Sequence, residues 1–224
     1  MKFLLFSKIG FEVSHPIALI ESYCFQSDFF SNFDLKPDKT VEDANKIGAH
    51  IPTKKNPKII KEIKKITKCT KNLKIFGNDI DSFLKISNES RNEQIKEFTD
   101  KAIKKLMDID GIGLPKSTKV YHTLHPKIIP MIDNPLLKMY KQEIIKIKIN
   151  TPLSEEQLYQ LFVAFYNNFK DETNWHNISQ LHEKLSETGI TWQMRSRGES
   201  GLTKVRILIY SGGHFSRLKT KIKN

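Results

Sequence analysis

The stretch from Leu106 to Asp133, LMDIDGIGLPKSTKVYHTLHPKIIPMID, constrains this chain more than any other part of it. Leu106 and Ile109 fall three apart on one helical face, and Gly111 and Gly113 flank Ile112. Beyond them, Ser117, Val120 and Tyr121 put small and apolar side chains on the inward side of a second helix. The glycines admit positive φ, so the spacing predicts a tight reversal between two helices. Backbone N–H groups at the start of the second helix then converge outward, unpaired and carrying partial positive charge, which suits a phosphate oxygen. Gly111, Ile112, Gly113 and Leu114 form this cradle, followed on the helix by Lys116, Ser117 and Lys119. Two glycines two apart are a weak signal alone; the full order of apolar, Gly-apolar-Gly, small, apolar-apolar is far more selective.

With those residues in place, the segment resembles the helix-hairpin-helix DNA glycosylases of the endonuclease III superfamily. In that family a catalytic aspartate follows the hairpin, closes a short connection and opens the next helix. Aligned without gaps on Gly111-Ile112-Gly113, the family's small residue falls on Ser117, its apolar pair on Val120 and Tyr121, and its aspartate on Asp133. The resemblance covers roughly the central fifth of the chain, by pattern. It implies an all-α, two-lobed helical unit spanning 1–224 with a cleft between lobes and a hairpin core at about 96–145. It also implies base excision from a damaged or mismatched DNA duplex, with Asp133 acting on the glycosidic bond.

Two departures from the family shape the expectation. Members that also nick the strand carry a Schiff-base lysine two residues after the second glycine, and here that position is Pro115. Proline offers no amine, and a one-residue shift turns a helical side chain by about 100°, so neither Lys116 nor Lys119 inherits the role automatically. A monofunctional glycosylase is the expectation. Pro115 also removes one N–H from the cradle, although proline suits the first turn of a helix. Many relatives hold an iron–sulfur cluster on four cysteines, whereas this chain has only Cys24 and Cys69, so no cofactor is expected.

Length and composition bound the rest. A chain of 224 residues, 38% hydrophobic, buries a substantial core without staples. Two distant cysteines offer no disulfide framework, and the opening MKFLLFSK has an apolar run too short for a signal-peptide core. The expectation is a soluble cytoplasmic protein with no membrane contact and no obligate protein partner. A net charge of +12 points to a polyanionic partner, DNA given the hairpin. Charge alone says less, because 32 lysines against 5 arginines is a bias an AT-rich genome gives to any protein.

Elsewhere the periodicity is helical. An amphipathic helix is predicted within 13–33 after Pro16, then a polar loop over 34–57. Ile59, Ile60, Ile63 and Ile66 form one stripe of a helix whose other faces carry lysines, a pattern that serves solubility by itself. A short helix is predicted at 78–86 and a longer one at 92–107. Asp133 caps a helix carrying Leu136, Leu137 and Tyr140, a role worth about 1 kcal/mol that needs no catalytic purpose. Ser154 and Gln157 form a capping box before Leu158, Leu161, Phe162 and Phe165, and Ile178, Leu181 and Leu185 mark another helix stopped at Gly189. A last helix falls at about 200–211, before a basic tail.

Other groupings are weaker. His122 and His125 lack further ligands nearby, so no metal is expected. Trp192, Arg195 and Arg197 combine an aromatic plane with two guanidinium groups, fit to stack on a base or hold phosphate, and equally fit to be a surface loop. Tyr121 is a further base-contact candidate. The alternative to a glycosylase is a helix-hairpin-helix module that binds DNA without chemistry, with Asp133 a helix cap only.

Overall fold

The computed structural model describes residues 1–6, 8–20, 40–52, 57–187, 204, 205, 207 and 208. Its architecture is mainly helical, and it divides into two compact units, Asn32–Ile132 and Met1–Ser31 with Asp133–Asn224.

The central unit holds α1 (Thr40–Lys46), α2 (Lys58–Thr70), α3 (Ile80–Lys85), α4 (Asn88–Phe98), a π-turn (Thr99–Ile103), α5 (Lys104–Met107) and α6 (Leu114–Leu124). In α2, Ile59 and Ile63 of the expected stripe are buried, Ile60 and Ile66 are half-buried, and Thr67 and Thr70 complete the inward face, while Lys61, Lys65 and Lys68 are exposed. Asp79 opens α3 through a capping box with Ser82, and those bonds, the backbone one first, hold its carboxyl below the usual range. The buried guanidinium of Arg91 closes the other end of α3, donating to the carbonyls of Phe83, Leu84 and Ile86 at 3.3, 2.9 and 3.3 Å.

The expected polar loop over 34–57 is a correction, since it contains α1. Val41 and Ala44 of α1 are buried, and the helix packs on α6. A seven-residue helix with two apolar positions three apart leaves almost no periodic signal, and its stability comes from that packing.

Aromatic rings fill the centre of this unit. Phe76 stacks on His125 with centroids 3.8 Å apart and on Tyr121 at 5.6 Å, and Phe98 meets both Phe76 and Tyr121 edge-on. The Tyr121 hydroxyl shares a 2.8 Å hydrogen bond with Thr70, and burial pushes its ionisation up to about 12.

The other unit begins with an antiparallel hairpin, β1 (Lys2–Leu5) and β2 (Ile9–Glu12), which helical periodicity did not predict. Phe3, Leu5 and Phe11 alternate inward on strands too short to register beside long helices. Then come α7 (Asn134–Met139), a π-turn (Tyr140–Ile144), α8 (Glu155–Asn167), a 3-10 turn (Asn168–Lys170) and α9 (Glu172–Glu187). The Ser154–Gln157 capping box opens α8 as expected, and Leu158, Leu161, Phe162, Phe165, Ile178, Leu181 and Leu185 are buried. Buried Asn174 ties α9 to β1, accepting the Leu4 N–H and donating to the Leu4 carbonyl, both at 2.7 Å. Of the helix expected within 13–33, residues 16–20 are helical, and 21–33 lie outside the described residues, as do Cys24 and Gly189. Residues 204, 205, 207 and 208 are helical within the expected 200–211 element, and the basic tail is outside.

Burial against Phe76 pushes the His125 imidazole down to about 4 from its ordinary 6.5. The unfolded chain therefore binds the extra proton more readily, so this contribution is full above pH 6.5 and is lost as pH falls towards 4. At about 1.4 kcal/mol per pH unit the loss reaches about 3 kcal/mol. Urea unfolding of the parent and His125→Phe between pH 7.5 and 4.5 should show the parent losing more stability. Equal losses would place the acid sensitivity elsewhere.

Candidate nucleic-acid interface

The turn between α5 and α6 uses its two glycines differently. Gly111 has φ of +76°, a left-handed conformation that reverses the chain. Gly113 is extended, with φ −89° and ψ 177°, and is the N-cap of α6. The sequence allows positive φ at both, and Gly111 alone of the two uses it: helix entry needs an extended residue, which any amino acid can supply. A Cβ at Gly113 would meet only Pro115 Cδ, at 3.9 Å.

What the N-terminus of α6 presents follows from this geometry. The N–H groups of Lys116 and Ser117 both donate to the Gly113 carbonyl at 3.0 Å, and Pro115 has none. The N–H groups of Gly113 and Leu114 make no hydrogen bond among the described residues. Lys116 folds back so that its Nζ donates to the Gly111 carbonyl at 2.7 Å. An ammonium has three donors, so two remain. Two backbone donors, one held cation and a helix N-terminus make an arrangement that can take a phosphate oxygen.

Several sequence candidates contribute backbone, not side chain. Ile112, Leu114 and Ser117 are buried, and the Ser117 hydroxyl donates to the Gly113 carbonyl at 3.2 Å. Lys119 is half-buried and donates to the Gly48 carbonyl at 2.8 Å, bracing a second left-handed turn with φ of +76°. Tyr121 is a correction: it is fully buried in the aromatic cluster and bonded to Thr70, so it is core and not a base contact. Its apolar ring at an inward helical position outweighs its hydroxyl. Trp192, Arg195 and Arg197 lie outside the described residues.

Asp133 opens α7 as its N-cap, half-buried, with Oδ1 accepting the Leu136 N–H at 3.1 Å and Pro135 following in the first turn. The segment that leads into it is stitched to α6. Thr118 Oγ1 accepts the Ile132 N–H at 3.1 Å, and His122 Nδ1 donates to the Ile129 carbonyl at 2.6 Å, which sets the tautomer. Both side chains are buried, and sequence reasoning missed this role by weighing His122 as a metal ligand. The four-residue spacing of Thr118 and His122 on a helix otherwise facing the core is the signal that finds it. His125 faces Phe76 instead, and among the described residues no three His, Cys, Asp or Glu side chains gather as a metal site.

The glycines can be separated by stability. Gly111→Ala should cost about 1–2 kcal/mol, because a Cβ is forced into left-handed backbone. Gly113→Ser should cost nothing measurable, since serine is among the best N-caps. Chemical denaturation of both variants decides, and a reversed order would mean that the turn closes on Gly113.

No protein-family model, curated protein or solved structure matches this chain.

Proposed function

We propose that this chain is a monofunctional DNA glycosylase of the helix-hairpin-helix kind, acting on a damaged or mismatched duplex. The observation that carries the reading is one run of chain: a left-handed glycine turn, open N–H donors at the start of a buried helix, and an aspartate capping the next helix. That order is the one the family resemblance rests on. The two-lobed arrangement with a cleft, implied by the same resemblance, belongs to the proposal.

The chemistry follows from access. A glycosidic bond inside a duplex cannot be reached, so the nucleotide must leave the stack at a cost of a few kcal/mol, least for a damaged or mismatched base. The Gly113 and Leu114 amides and the Lys116 ammonium grip the strand. Asp133 then activates water or stabilises the positive charge that develops on the sugar as the base departs. The second reading, a DNA-binding module without chemistry, is favoured by the Asp133 carboxylate serving as a helix cap.

Binding should weaken steeply with salt, and Gly113→Val should lower affinity for unrelated duplexes alike, because its methyl groups crowd the amides without straining an extended backbone. A folded Gly113→Val variant binding as tightly as the parent would remove the turn from the interface.

Asp133→Asn should keep DNA binding and most stability, asparagine being a comparable cap, while base release falls by on the order of 100-fold or more. Equal release by both proteins would exclude Asp133. With Pro115 at the lysine position, borohydride should trap no covalent protein–DNA complex, and the product should be an abasic strand that breaks only in alkali. Trapping abolished by Lys116→Ala or Lys119→Ala would make the protein a lyase.

A further inference from the structure

We propose that the exposed lysine row of α2 is a second nucleic-acid contact, seating successive phosphates of one strand beside the α5–α6 turn. Lys61, Lys65 and Lys68 lie at i, i+4 and i+7, all exposed, while the opposite face of α2 buries Ile59, Ile63, Thr67 and Thr70 in the core. At 1.5 Å of rise per residue the three span about 10 Å. Roughly three phosphates of one strand occupy the same length of duplex axis, at about 3.4 Å each.

The pattern of charge works against the free helix. Over its 13 residues α2 sets five lysines against one glutamate, has no acidic residue in its first turn, and places Lys61 and Lys65 four apart. Like charges at that spacing, and cations near a helix N-terminus, each cost a few tenths of a kcal/mol. Helices α4, α8 and α9 follow the opposite rule, with Glu89, Glu155 with Glu156, and Glu172 in their first turns. A row of lysines left unbalanced on an exposed helix face marks a surface whose missing charge a polyanionic partner supplies.

The middle lysine of the row, Lys65, borders a groove that reaches the start of the turn. This groove of about 580 Å³ between α2 and α5 has Lys65 and Lys105 on its walls and also Asp108 and Ile109, where the turn begins. Glu62, Asp100 and Asp108 line it too, so the phosphates run along the outer face of α2 and not inside the groove. An anionic bilayer is a poorer fit: a membrane-lying helix exposes large apolar side chains between its lysines, and α2 exposes none.

The inference rests on nucleic acid as the partner of this unit and adds a surface that the turn alone does not supply. The test compares full-length parent, Gly113→Val and the triple variant Lys61→Gln/Lys65→Gln/Lys68→Gln on a short random-sequence duplex across a salt series. Vesicles of phosphatidylcholine and phosphatidylserine form a second arm. Removing three phosphate contacts should reduce the slope of log affinity against log salt by about 3 and weaken low-salt binding at least tenfold. The triple variant should melt no lower than the parent. An unchanged slope in the triple variant, alongside weakened binding by Gly113→Val, would overturn the row and leave the turn standing. No duplex binding by the parent would overturn both. Loss confined to vesicles would show that the row meets lipid.

Discussion

The burial of α6 governs the central unit. From Ser117 to Thr123 only Lys119 escapes full burial, so a helix carrying serine, threonine, tyrosine and histidine must satisfy each polar group inside the protein. Each hydrogen bond fixes a different neighbour. Ser117 returns to Gly113 and holds the turn, Thr118 and His122 hold the chain entering Asp133, and Tyr121 holds the C-terminal turn of α2 through Thr70. An apolar helix of the same shape would bury as much area without setting these positions. An unpaired hydroxyl there would cost about 1–3 kcal/mol, so alternative placements of the neighbours are disfavoured by more than packing alone provides.

This explains which parts of the chain the sequence discloses. Long helices announce themselves: α2, the Ser154 capping box and the apolar runs of α8 and α9 stand where periodicity puts them. The turn at Gly111 and the cap at Asp133 are equally legible, because glycine at positive φ and aspartate before a helix are chemical necessities more than statistical habits. Some short elements are not legible, although α3, six residues long, stands where a short helix is expected. β1, β2 and α1 have four, four and seven residues, and their stability lies in Asn174, in Phe3 against Phe11, and in the contact with α6, none of them local in sequence. Tyr121 was misread for a related reason. A tyrosine at an inward position serves core and site equally well until its partner, 51 residues earlier, is known.

The two positively charged features of the central unit differ in physical kind. The turn presents amides fixed by a buried helix, so engaging a phosphate costs little conformational entropy and depends on position within about an ångström. The contact proposed for the lysines of α2 is of another kind: long, hydrated side chains would gain mainly by releasing counterions and would tolerate any geometry that brings a phosphate near. The first kind of contact sets register on a strand, and the second sets overall affinity and its sensitivity to salt.

Lys116 and Lys119 show how a backbone carbonyl can hold a charge. Three residues apart on α6, each donates its ammonium to the carbonyl of a glycine in left-handed backbone, Gly111 and Gly48 respectively. Those carbonyls are turned outward by the positive φ that only glycine adopts readily, so the same residue that makes each turn also makes the acceptor. At Lys116 the charge is thereby held at the turn by a neutral acceptor. A cation kept in place by a neutral acceptor retains its attraction for a phosphate, whereas an ion pair must be broken first. With Pro115 having removed one amide from the cradle, the held ammonium of Lys116 restores a donor at the same end of the helix.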